Sequence, residues 1–537
     1  MPTEIPGSMG RKYITKTGKK PRFVEDGTTL IDTSQKAARK FVYVNGEWKL
    51  VRSAIGPYSA IVKKEGTDVW AEDEYGKTIA EGEAGVDDAE VMQSVINNIA
   101  SLGGGKLLIK NGTYYIKSNI DFSVDNLIIQ GETFGGVILK KVGDVRFANI
   151  TKTVKKVIIR NLYFDCSESE APEGASEFCL GASSDCLIEN IYIYDFPSYG
   201  MTIGAGSYNY RNTLRNIYVS STRNVNDAIG GGKMIYGAIE NVFVLNSGFD
   251  GVGLSDCQKT TLKNVFAENC QRGGVVLDGW KDCRIENIIC YKCVEDSAWT
   301  DFYRAGFMMY QPHTAGTARN TVVNVLSMYN SYGSGIAINV DGKGNVFKNL
   351  VGYRNYRYGI IVKGEGLEIS GCVCAENGQD GSGNKSGLFI DVGSKNITIS
   401  GGIFYDDQDT KTQNYCIRAA GTDTNPISDV IIKNCQFISY ATAAVNLSYA
   451  TIKFRDNIGY VTENSGTATF SGDGSTTQFK IEHGLVSTPS KVQVTPMTAD
   501  AAGDFYVTVD DTYIYVNYKS APASGTDNIK LNWLAEV

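Results

Sequence analysis

The sequence is poor in histidine and proline, and it contains few patterns typical of helices. It contains two histidines and 11 prolines in 537 residues, and stretches in which apolar residues follow helical spacing are rare. Two histidines leave little room for imidazole-based catalysis or metal binding. The sequence therefore favours neither a helical protein nor a histidine-rich active site.

Concentrated positive charge and long apolar runs are also missing. The formal net charge is −7, and lysine and arginine are scattered along the chain. Nucleic-acid binding needs a concentrated basic surface, so we expect no nucleic-acid partner. No apolar run is long enough to span a membrane, and the first residues, MPTEIPGSMG, lack the apolar core of a signal peptide. We expect no membrane insertion, and an extracellular location would be reached by another route.

Glycine (59) and tyrosine (31) are abundant, and β-branched residues recur in short runs bounded by Gly, Asn and Asp. This composition is typical of many short strands joined by tight turns. A chain of this length is too long for one ordinary globular core, so it contains either several domains or one repetitive body. The composition favours the repetitive body.

One phrase recurs through the middle of the chain: an apolar residue, a polar residue, Asn and a short strand. The interval is about 25 residues, apart from a longer step near residue 300, which indicates an inserted segment. This spacing suits one rung, or turn, of a parallel β-helix, and we expect each Asn to hydrogen-bond the turn backbone of the neighbouring rungs. The recurring residues are Asn161, Asn190, Asn216, Asn241, Asn264, Asn287, Asn324 and Asn349.

A second phrase, Gly followed by an apolar strand, alternates with the first. Each rung therefore contributes at least two strands, here called the Asn strand and the Gly strand. The glycines that open this phrase are Gly251, Gly274, Gly306, Gly335, Gly359 and Gly387.

The start of the coil carries a recognisable motif. In DDAEVMQSVINNIASLGGG the apolar residues follow helical spacing, with Asp87 or Asp88 as N-cap and Gly103–Gly105 as the stop, which predicts a helix that caps the first rung. Acidic pair, helix, Gly run, apolar strand and Asn-Gly-Thr-Tyr together resemble the opening of the pectin-lyase-like superfamily. The resemblance covers roughly residues 58–460 and implies a right-handed parallel β-helix, a fold shared by polysaccharide lyases, glycoside hydrolases and viral tailspikes.

The two ends of the chain have different patterns. Residues 1–57 are predicted to be an attachment arm with a β-hairpin that turns at Asn45–Gly46. Residues 461–537 alternate apolar and polar residues between turn signals, which predicts a C-terminal β-sandwich module. The phrase GDGSTTQFKIEHGL resembles C-terminal modules of phage and archaeal-virus β-helix proteins. The predicted fold is thus all-β: a capping helix, a parallel β-helix over 58–460, and a sandwich.

Four of the 12 cysteines sit at equivalent rung positions. Cys186 and Cys283 each lie four residues before a strand Asn, and Cys270 and Cys293 each lie six residues after one. Such stacking predicts buried thiols that pack as small apolar residues in preference to disulfides or a metal site. We predict no metal and no cofactor.

The familiar catalytic motifs of the superfamily are missing. Its pectin hydrolases carry Asn-x-Asp, Asp-Asp and Gly-His-Gly on adjacent rungs, and this sequence contains no Gly-His-Gly. Acidic residues that fall on successive rungs remain, namely Asp227, Asp250 and Asp278. Rungs stack at about 4.8 Å, so carboxylates on neighbouring rungs can reach the separations used in glycoside hydrolysis. Asp250 and Asp278 border Gly strands and form the preferred pair, although Asp beside Gly also commonly stabilises a turn.

Glycan-binding residues are predicted around the rung that contains the insertion. Aromatic side chains can stack on sugar rings, and arginines can bind their polar groups. A histidine in a loop, such as the one here, is more often solvated than functional. The predicted residues are Tyr310, Trp280, Arg272, Arg304 and His313.

The outward face of the Asn strands is apolar if Val242 and Val244 point inward. Either three chains bury this face at a trimer axis, or its aromatic residues form a platform for sugars. We favour the interface, because two of the residues are aliphatic and contribute nothing to sugar stacking. The predicted interface residues are Tyr192, Tyr218, Phe243, Phe266, Ile289 and Leu326. A second exposed apolar stripe is expected on the Gly strands, at Val276, Met308, Ala337, Ile361 and Phe389.

Two functions follow as hypotheses. The first is a homotrimeric tailspike or tail-fibre protein, on a virion or extracellular, which binds host surface polysaccharide and attaches to a tail or baseplate protein through its N-terminal arm. The second is a polysaccharide-degrading enzyme, a glycoside hydrolase or polysaccharide lyase, that works on the wall of the β-helix.

Overall fold

The computed structural model describes residues 58–145, 150, 152–204, 207–298, 302–310 and 316–537, together with Asn149 and the backbone of the strands before residue 58. These residues form two compact units, Met1–Arg284 and Ile285–Val537. Almost all regular structure is β-strand, and one helix is present in the described part of the chain. None of the described helical residues form a segment long and apolar enough to cross a membrane.

The first unit begins with short strands in a mixed sheet. The last two of these strands pair antiparallel, with Val44 opposite Glu47, and the turn predicted at Asn45–Gly46 lies outside the described residues. The strands are Thr3–Glu4, Lys12–Thr15, Thr29–Asp32, Arg39–Val44 and Glu47–Leu50. An antiparallel meander follows, formed by Ala60–Glu65, Asp68–Asp73 and Thr78–Glu83.

The helix Asp88–Ser101 buries one apolar face, which includes Val95 and Ile99, and so confirms the predicted capping helix. The Asp88 carboxylate is buried at the start of the helix. It accepts hydrogen bonds from the backbone N–H of Gly85 (3.0 Å) and of Tyr115 (2.7 Å) and an ion pair from Lys64 at 2.9 Å. These bonds tie the helix to the first rungs.

Parallel strands then build three sheets of the β-helix in the first unit. The Asn strands and their predecessors are Gly105–Ile109, Leu127–Gly131, Ile158–Ser169, Leu187–Tyr194, Thr213–Ser220, Ala238–Ser247 and Thr261–Cys270. The Gly strands and their equivalents are Asn149–Ile150, Ser176–Leu180, Tyr199–Ile203, Ile229–Gly232, Asp250–Ser255 and Gly273–Asp278. A third, narrow sheet contains Val154–Lys155, Ser183–Ser184, Asn209–Tyr210 and Met234–Ile235. Gly112–Ile116 and Val137–Gly143 also pair in parallel.

The second unit continues the same alternation of strands. Its Asn strands and their equivalents are Arg284–Tyr291, Thr321–Met328, Asn345–Tyr353, Lys395–Ser400, Ile427–Lys433 and Ala450–Arg455. Its Gly strands and their equivalents are Ala305–Tyr310, Ser334–Val340, Ile360–Ser370, Ser386–Asp391, Tyr415–Ala420 and Ala443–Ser448. Short strands at Val373–Ala375, Ile403–Tyr405 and Gln436–Phe437 complete it.

The repeated asparagines all occupy left-handed backbone positions, for example Asn216 with φ 55° and Asn324 with φ 59°. Asn tolerates this conformation better than other non-glycine residues, which explains why it recurs at this corner. The amides hydrogen-bond one another, as Asn216 Nδ2 donates to Asn190 Oδ1 at 2.8 Å and Asn349 Nδ2 donates to Asn324 Oδ1 at 2.9 Å. The corner was predicted, and Asn161 Nδ2 donates to the Gly131 carbonyl of the neighbouring rung at 3.5 Å as expected, but most of the amide bonds join side chains.

The cysteines follow the predicted pattern. All 12 are unoxidised thiols, and all are buried except Cys179, which is half-buried. Burial raises the pKa of the Cys283 thiol to about 11 and that of Cys416 to about 12. Because a thiol at these positions stays protonated, it packs as a small apolar side chain.

The C-terminal part of the second unit is a β-sandwich, as predicted. One sheet contains Glu463–Gly472, Lys491–Pro496 and Gly525–Glu536, and the other contains Gln478–Glu482, Phe505–Val509 and Tyr513–Tyr518. Apolar residues from both sheets, including Ile481, Val516 and Leu531, form its core. His483 is fully buried and holds a turn, because its Nδ1 accepts the Leu485 N–H at 3.0 Å and its Nε2 lies 3.0 Å from the Asp510 carbonyl oxygen.

Candidate functional site

The first candidate site is an acidic cluster in the first unit. Asp250 begins one Gly strand, and Arg272 immediately precedes the next, so the parallel register of Asp250 with Gly273 brings the two side chains together. Arg272 donates to both carboxylate oxygens of Asp250, with distances of 2.9 and 2.6 Å. Its guanidinium also lies 4.3 Å from the ring centre of Phe249. Asp250 is 1% exposed, so this ion pair is buried on the carboxylate side.

Asp227 lies beside this pair, over two glycine backbones. A Cβ atom at Gly230 would stand 2.9 Å from Asp227 Oδ2, and one at Gly253 would stand 2.5 Å from it. Since real Cβ atoms do not approach so closely, glycine at these two positions is required for the carboxyl group to lie there. The Oδ1 atom of Asp227 is buried and has no hydrogen-bond partner in the described part of the chain.

The electrostatics of the cluster favour protonated carboxyls. Burial raises the pKa of Asp250 to about 6, although Arg272 acts in the opposite direction. Burial and the neighbouring Asp250 carboxylate raise the pKa of Asp227 well above its usual value. Burial, Asp227 and Asp250 also raise the pKa of Tyr199, which lines the same cluster. Both carboxyls therefore favour the protonated form more than an isolated aspartate does, and the two titrate as a pair.

The cluster does not include Asp278. The register pairs Asp250 with Gly273 and Asp278 with Ser255, so the two aspartates lie at opposite ends of neighbouring strands. Five residues of strand separate them by roughly 16 Å, beyond the separations used in glycoside hydrolysis. The predicted pairing of Asp250 with Asp278 is therefore wrong, and the structure brings Asp227 to Asp250 instead.

The structure places the predicted glycan-binding residues in different environments. Trp280 is fully buried, and its Nε1 donates to the Leu254 carbonyl at 3.0 Å, so the prediction that it contacts sugars is wrong. Arg272 binds Asp250 as described above. Tyr310 ends its Gly strand and is half-buried, while Arg304 is 6% exposed and lines a groove described below. His313 lies outside the described residues. The glycan-binding roles of Tyr310, Arg272 and Arg304 stay predictions.

The outward face of the Asn strands has the predicted orientation. Val242 and Val244 are fully buried, while Phe243 between them is 39% exposed. Parallel register places an aromatic residue above the next on five rungs, here called the aromatic stripe: Tyr163, Tyr192, Tyr218, Phe243 and Phe266. The rings stack, with centroid separations of 4.7 Å from Tyr163 to Tyr192 and 5.0 Å from Tyr218 to Phe243.

In the second unit the equivalent positions are aliphatic. Ile289 is 37% exposed, and Leu326 is half-buried and pairs in register with Val351. The interface role of these residues stays a prediction.

The second exposed stripe, expected on the Gly strands, is not found. Val276, Met308, Ala337, Ile361 and Phe389 are at most 4% exposed. The chain covers these positions itself: in the second unit, the Phe302 ring packs edge-on against Phe389 at 5.9 Å, and the Tyr358 ring stacks on Phe389 at 4.7 Å. The expectation of two exposed stripes is wrong, because loops before the Gly strands fold over their outer face.

These loops form a second candidate site, which sequence reasoning missed. A groove of about 560 Å³, here called the tyrosine–arginine groove, is lined by Ser297, Phe302, Arg304, Tyr332, Tyr356, Arg357, Tyr358, Asp380 and Lys385. The sequence does contain a pattern that indicates aromatic residues at this place. Tyr303, Tyr332 and Tyr356 each stand three residues before the glycine of a Gly strand. Equivalent positions on successive rungs stack, so the repeat predicts an aromatic ladder beside these strands.

A smaller groove of about 460 Å³ shares Tyr356 and is lined also by Lys292, Glu295, Tyr329, Asn330, Ser331, Arg354 and Gln379. Its arginine and its glutamate are hydrogen-bonded within the chain, and Lys292 Nζ lies 5.3 Å from the centre of the Tyr291 ring. Arg354 donates to Glu376, and Ser331 Oγ donates to Glu295 at 2.7 Å. Among the described residues, no group of three or more His, Cys, Asp or Glu is placed to hold a metal ion.

The strand order, the parallel register and the capping helix define the chain as a right-handed parallel β-helix protein. No family model and no curated protein matches it. Among solved structures, the tailspike protein of Pseudomonas phage LKA1 is 12% identical, with 83% of this chain and 92% of that chain covered and a TM-score of 0.46. A mutant tailspike of E. coli bacteriophage HK620 is 13% identical, with coverages of 87% and 92% and a TM-score of 0.45. The A-module of a mannuronan C-5 epimerase from Azotobacter vinelandii is 14% identical, with coverages of 69% and 96% and a TM-score of 0.43.

Proposed function

We propose that this chain is a tailspike-like fibre protein that assembles as a homotrimer and binds glycans on a host cell surface. The observation that carries the proposal is the aromatic stripe of the first unit. Phe243 is exposed and the other four residues of the stripe are half-buried. An apolar face of a parallel sheet is normally covered, and a contiguous, partly exposed patch of this kind is typical of an interaction surface.

A second copy of the chain is a better cover for this face than a sugar. Besides Phe243, the aliphatic residue Leu245 (39% exposed) faces outward in the first unit, and Ile289 (37% exposed) faces outward in the second unit. Aliphatic side chains gain from burial against protein but offer no ring face for stacking on sugars. Three coils packed around an axis bury such faces together in a closed, symmetric assembly.

The remaining parts of the proposal concern the two ends and the location. Residues 1–57 would serve as the arm that joins a tail or baseplate protein, residues 58–460 as the shaft, and residues 461–537 as a terminal module. A virion or extracellular location agrees with this division. The glycan-binding part is supported by the grooves of the second unit, where aromatic and charged side chains converge.

The full-length protein is expected to have a solution mass three times that of the 58.4 kDa chain, because a trimer covers the aromatic stripe. Light scattering coupled to size exclusion at micromolar concentration measures this mass. A homogeneous species of 58.4 kDa would contradict the trimer and leave the stripe to another partner.

The second candidate function is cleavage of a polysaccharide, as a glycoside hydrolase or a polysaccharide lyase, and the acidic cluster is the observation that favours it. Asp227 is a carboxyl with a raised pKa, which is what a general acid requires. Arg272 binds both carboxylate oxygens of Asp250. Asp250 is therefore better placed to orient the arginine and to raise the pKa of Asp227 than to contact a substrate. An accessible second carboxylate beside Asp227 is therefore missing from the cluster as described, which is why the binding function ranks first.

If the cluster is catalytic, Asp227→Asn is expected to abolish release of reducing ends or unsaturated uronates from envelope polysaccharide. The activity should fall as the pH rises through the pKa of Asp227, because only the protonated acid donates. Protonation of Asp250 below a pH of about 6 should also change the dependence of activity on pH, because Asp227 and Asp250 titrate together. Asp278→Asn serves as the control and should leave the rate unchanged. Activity that survives in Asp227→Asn would exclude the cluster as the active site.

A further inference from the structure

We propose that the tyrosine–arginine groove selects an anionic oligosaccharide, that is, one whose sugars carry carboxylate or sulfate groups. This inference rests on the proposed glycan-binding function and adds to it the site and the charge class of the ligand. It is argued from the balance of charge in the groove, the state of its cations and the arrangement of its aromatic rings.

The groove is locally basic on a chain whose net charge is −7. Arg304, Arg357 and Lys385 line it, and among the described residues Asp380 is the one acidic residue of the lining. Lys385 lies 3.4 Å from Asp380, which offsets one positive charge. Arg357 therefore adds to this groove a positive charge that a neutral ligand would not use.

Arg357 is the cation available to a ligand. Its side chain is half-buried, and within the described part of the chain it makes no side-chain hydrogen bond or ion pair. A partly desolvated guanidinium without a counter-ion is unfavourable, and a planar carboxylate or a sulfate satisfies it with two parallel hydrogen bonds. Arginine is better suited than lysine to such a bidentate contact.

The aromatic residues provide the surface on which sugar rings pack. Tyr332 and Tyr356 lie on successive rungs with ring centroids 5.6 Å apart, and both are half-buried. Phe302 is 42% exposed and stands over the Tyr358 ring at 6.3 Å. Rings exposed on one side and packed on the other are the typical platform for the apolar faces of pyranoses.

The smaller neighbouring groove provides an internal comparison. It shares Tyr356, but its arginine, Arg354, is bound to Glu376, and its acid, Glu295, is bound to Ser331. A ligand there meets an arginine and a glutamate that are already paired, and a lysine, Lys292, whose Nζ lies over the Tyr291 ring. Selection for negative charge is therefore expected in the tyrosine–arginine groove, while the shared tyrosine allows one oligosaccharide to run through both.

The test is titration calorimetry on the full-length protein with three hexasaccharides: oligosialic acid, which carries carboxylates; a heparin fragment, which carries sulfates; and uncharged maltohexaose. We expect at least one anionic probe to bind and maltohexaose to bind at least about tenfold more weakly. Arg357→Gln should weaken the anionic probe by about tenfold, because it removes a charge-assisted pair. Arg357→Lys should retain part of the affinity, and added salt should weaken binding.

Two further variants make the test specific. Tyr356→Ala should weaken the anionic probe through lost stacking, without changing its salt dependence. Lys519→Gln removes the same charge from an exposed residue of the sandwich and should leave binding unchanged. Circular dichroism and urea midpoints confirm that each variant is folded.

The outcomes separate the inference from the proposed function. Anionic binding that falls in Arg357→Gln and persists in Lys519→Gln supports the inference, and the better of the two anionic probes identifies carboxylate or sulfate. Equal binding of maltohexaose, or anionic binding unchanged in Arg357→Gln, overturns the inference while glycan binding itself stands. Failure of all three probes to bind the wild type overturns the inference, and a wild-type protein that also fails to bind host-cell polysaccharide extract overturns the glycan-binding function.

Discussion

Replacement of Trp280 by alanine is expected to lower the free energy of unfolding by about 3–5 kcal/mol. Trp280 is the largest fully buried side chain in the described part of the chain, so its removal leaves a cavity between rungs that the stacked strands are unable to close. The Leu254 carbonyl, which now accepts the indole N–H at 3.0 Å, would also lose that bond. Urea denaturation followed by circular dichroism measures the loss.

Trp280→Phe is the matched control. It keeps the six-membered part of the buried ring but loses the hydrogen bond and part of the buried volume, so we expect a loss smaller than that of Trp280→Ala, about 2 kcal/mol. Glycan binding by either variant should equal that of the wild type under conditions where the protein is folded. A Trp280→Ala variant as stable as the wild type but defective in glycan binding would restore the role in sugar contact that the buried position argues against.

Replacement of Phe243 by lysine is expected to convert the proposed trimer into monomers. Phe243 lies within the aromatic stripe and is 39% exposed in the single chain. At a three-fold axis the substitution removes apolar contact area from each chain and places three positive charges near one another. Like charges held together at an interface cost several kcal/mol, and each 1.4 kcal/mol weakens association about tenfold.

The control for this variant is Tyr506→Lys. Tyr506 is an aromatic residue of the sandwich and is 61% exposed, so the same substitution there should leave the mass unchanged. Analytical ultracentrifugation over a range of concentrations distinguishes the two. If Phe243→Lys sediments with the mass of the wild type, the aromatic stripe is not the trimer interface.

The β-helix could be predicted because the residues that repeat along the chain are those that its backbone conformation requires. A left-handed corner selects Asn, and the residue after each Gly enters a strand, so Asn216 and Gly251 mark structural positions independently of their neighbours. The partners of the Asn side chains were not predictable in the same way. The sequence places the amide at the corner, but the choice between turn backbone and the next amide depends on how successive corners align.

The candidate site was predicted only in part, for reasons that differ among residues. Asp250 and Asp278 both border Gly strands, but one precedes its strand and the other follows it, and a count of residues along the strand places them at opposite ends. Trp280 follows a strand through Gly279, whose φ of 66° turns the chain. Whether the next side chain points into the core or into solvent depends on that turn, which composition does not reveal. The tyrosine–arginine groove depends on loops that fold back over a sheet, a long-range event.

The asparagine ladder also bears on how such a protein acquires new specificity. The amide bond from Asn324 to Asn287 is 2.9 Å although 37 residues separate them, and the bond from Asn349 to Asn324 is also 2.9 Å across 25 residues. The length of a rung is thus decoupled from the register of its corner. The entropic cost of closing a loop rises only slowly with the length of the loop. Insertions can therefore accumulate on one side of a rung without shifting the neighbouring rungs. Loops that carry ligand contacts are therefore free to diverge rapidly between relatives whose rungs stay superimposable.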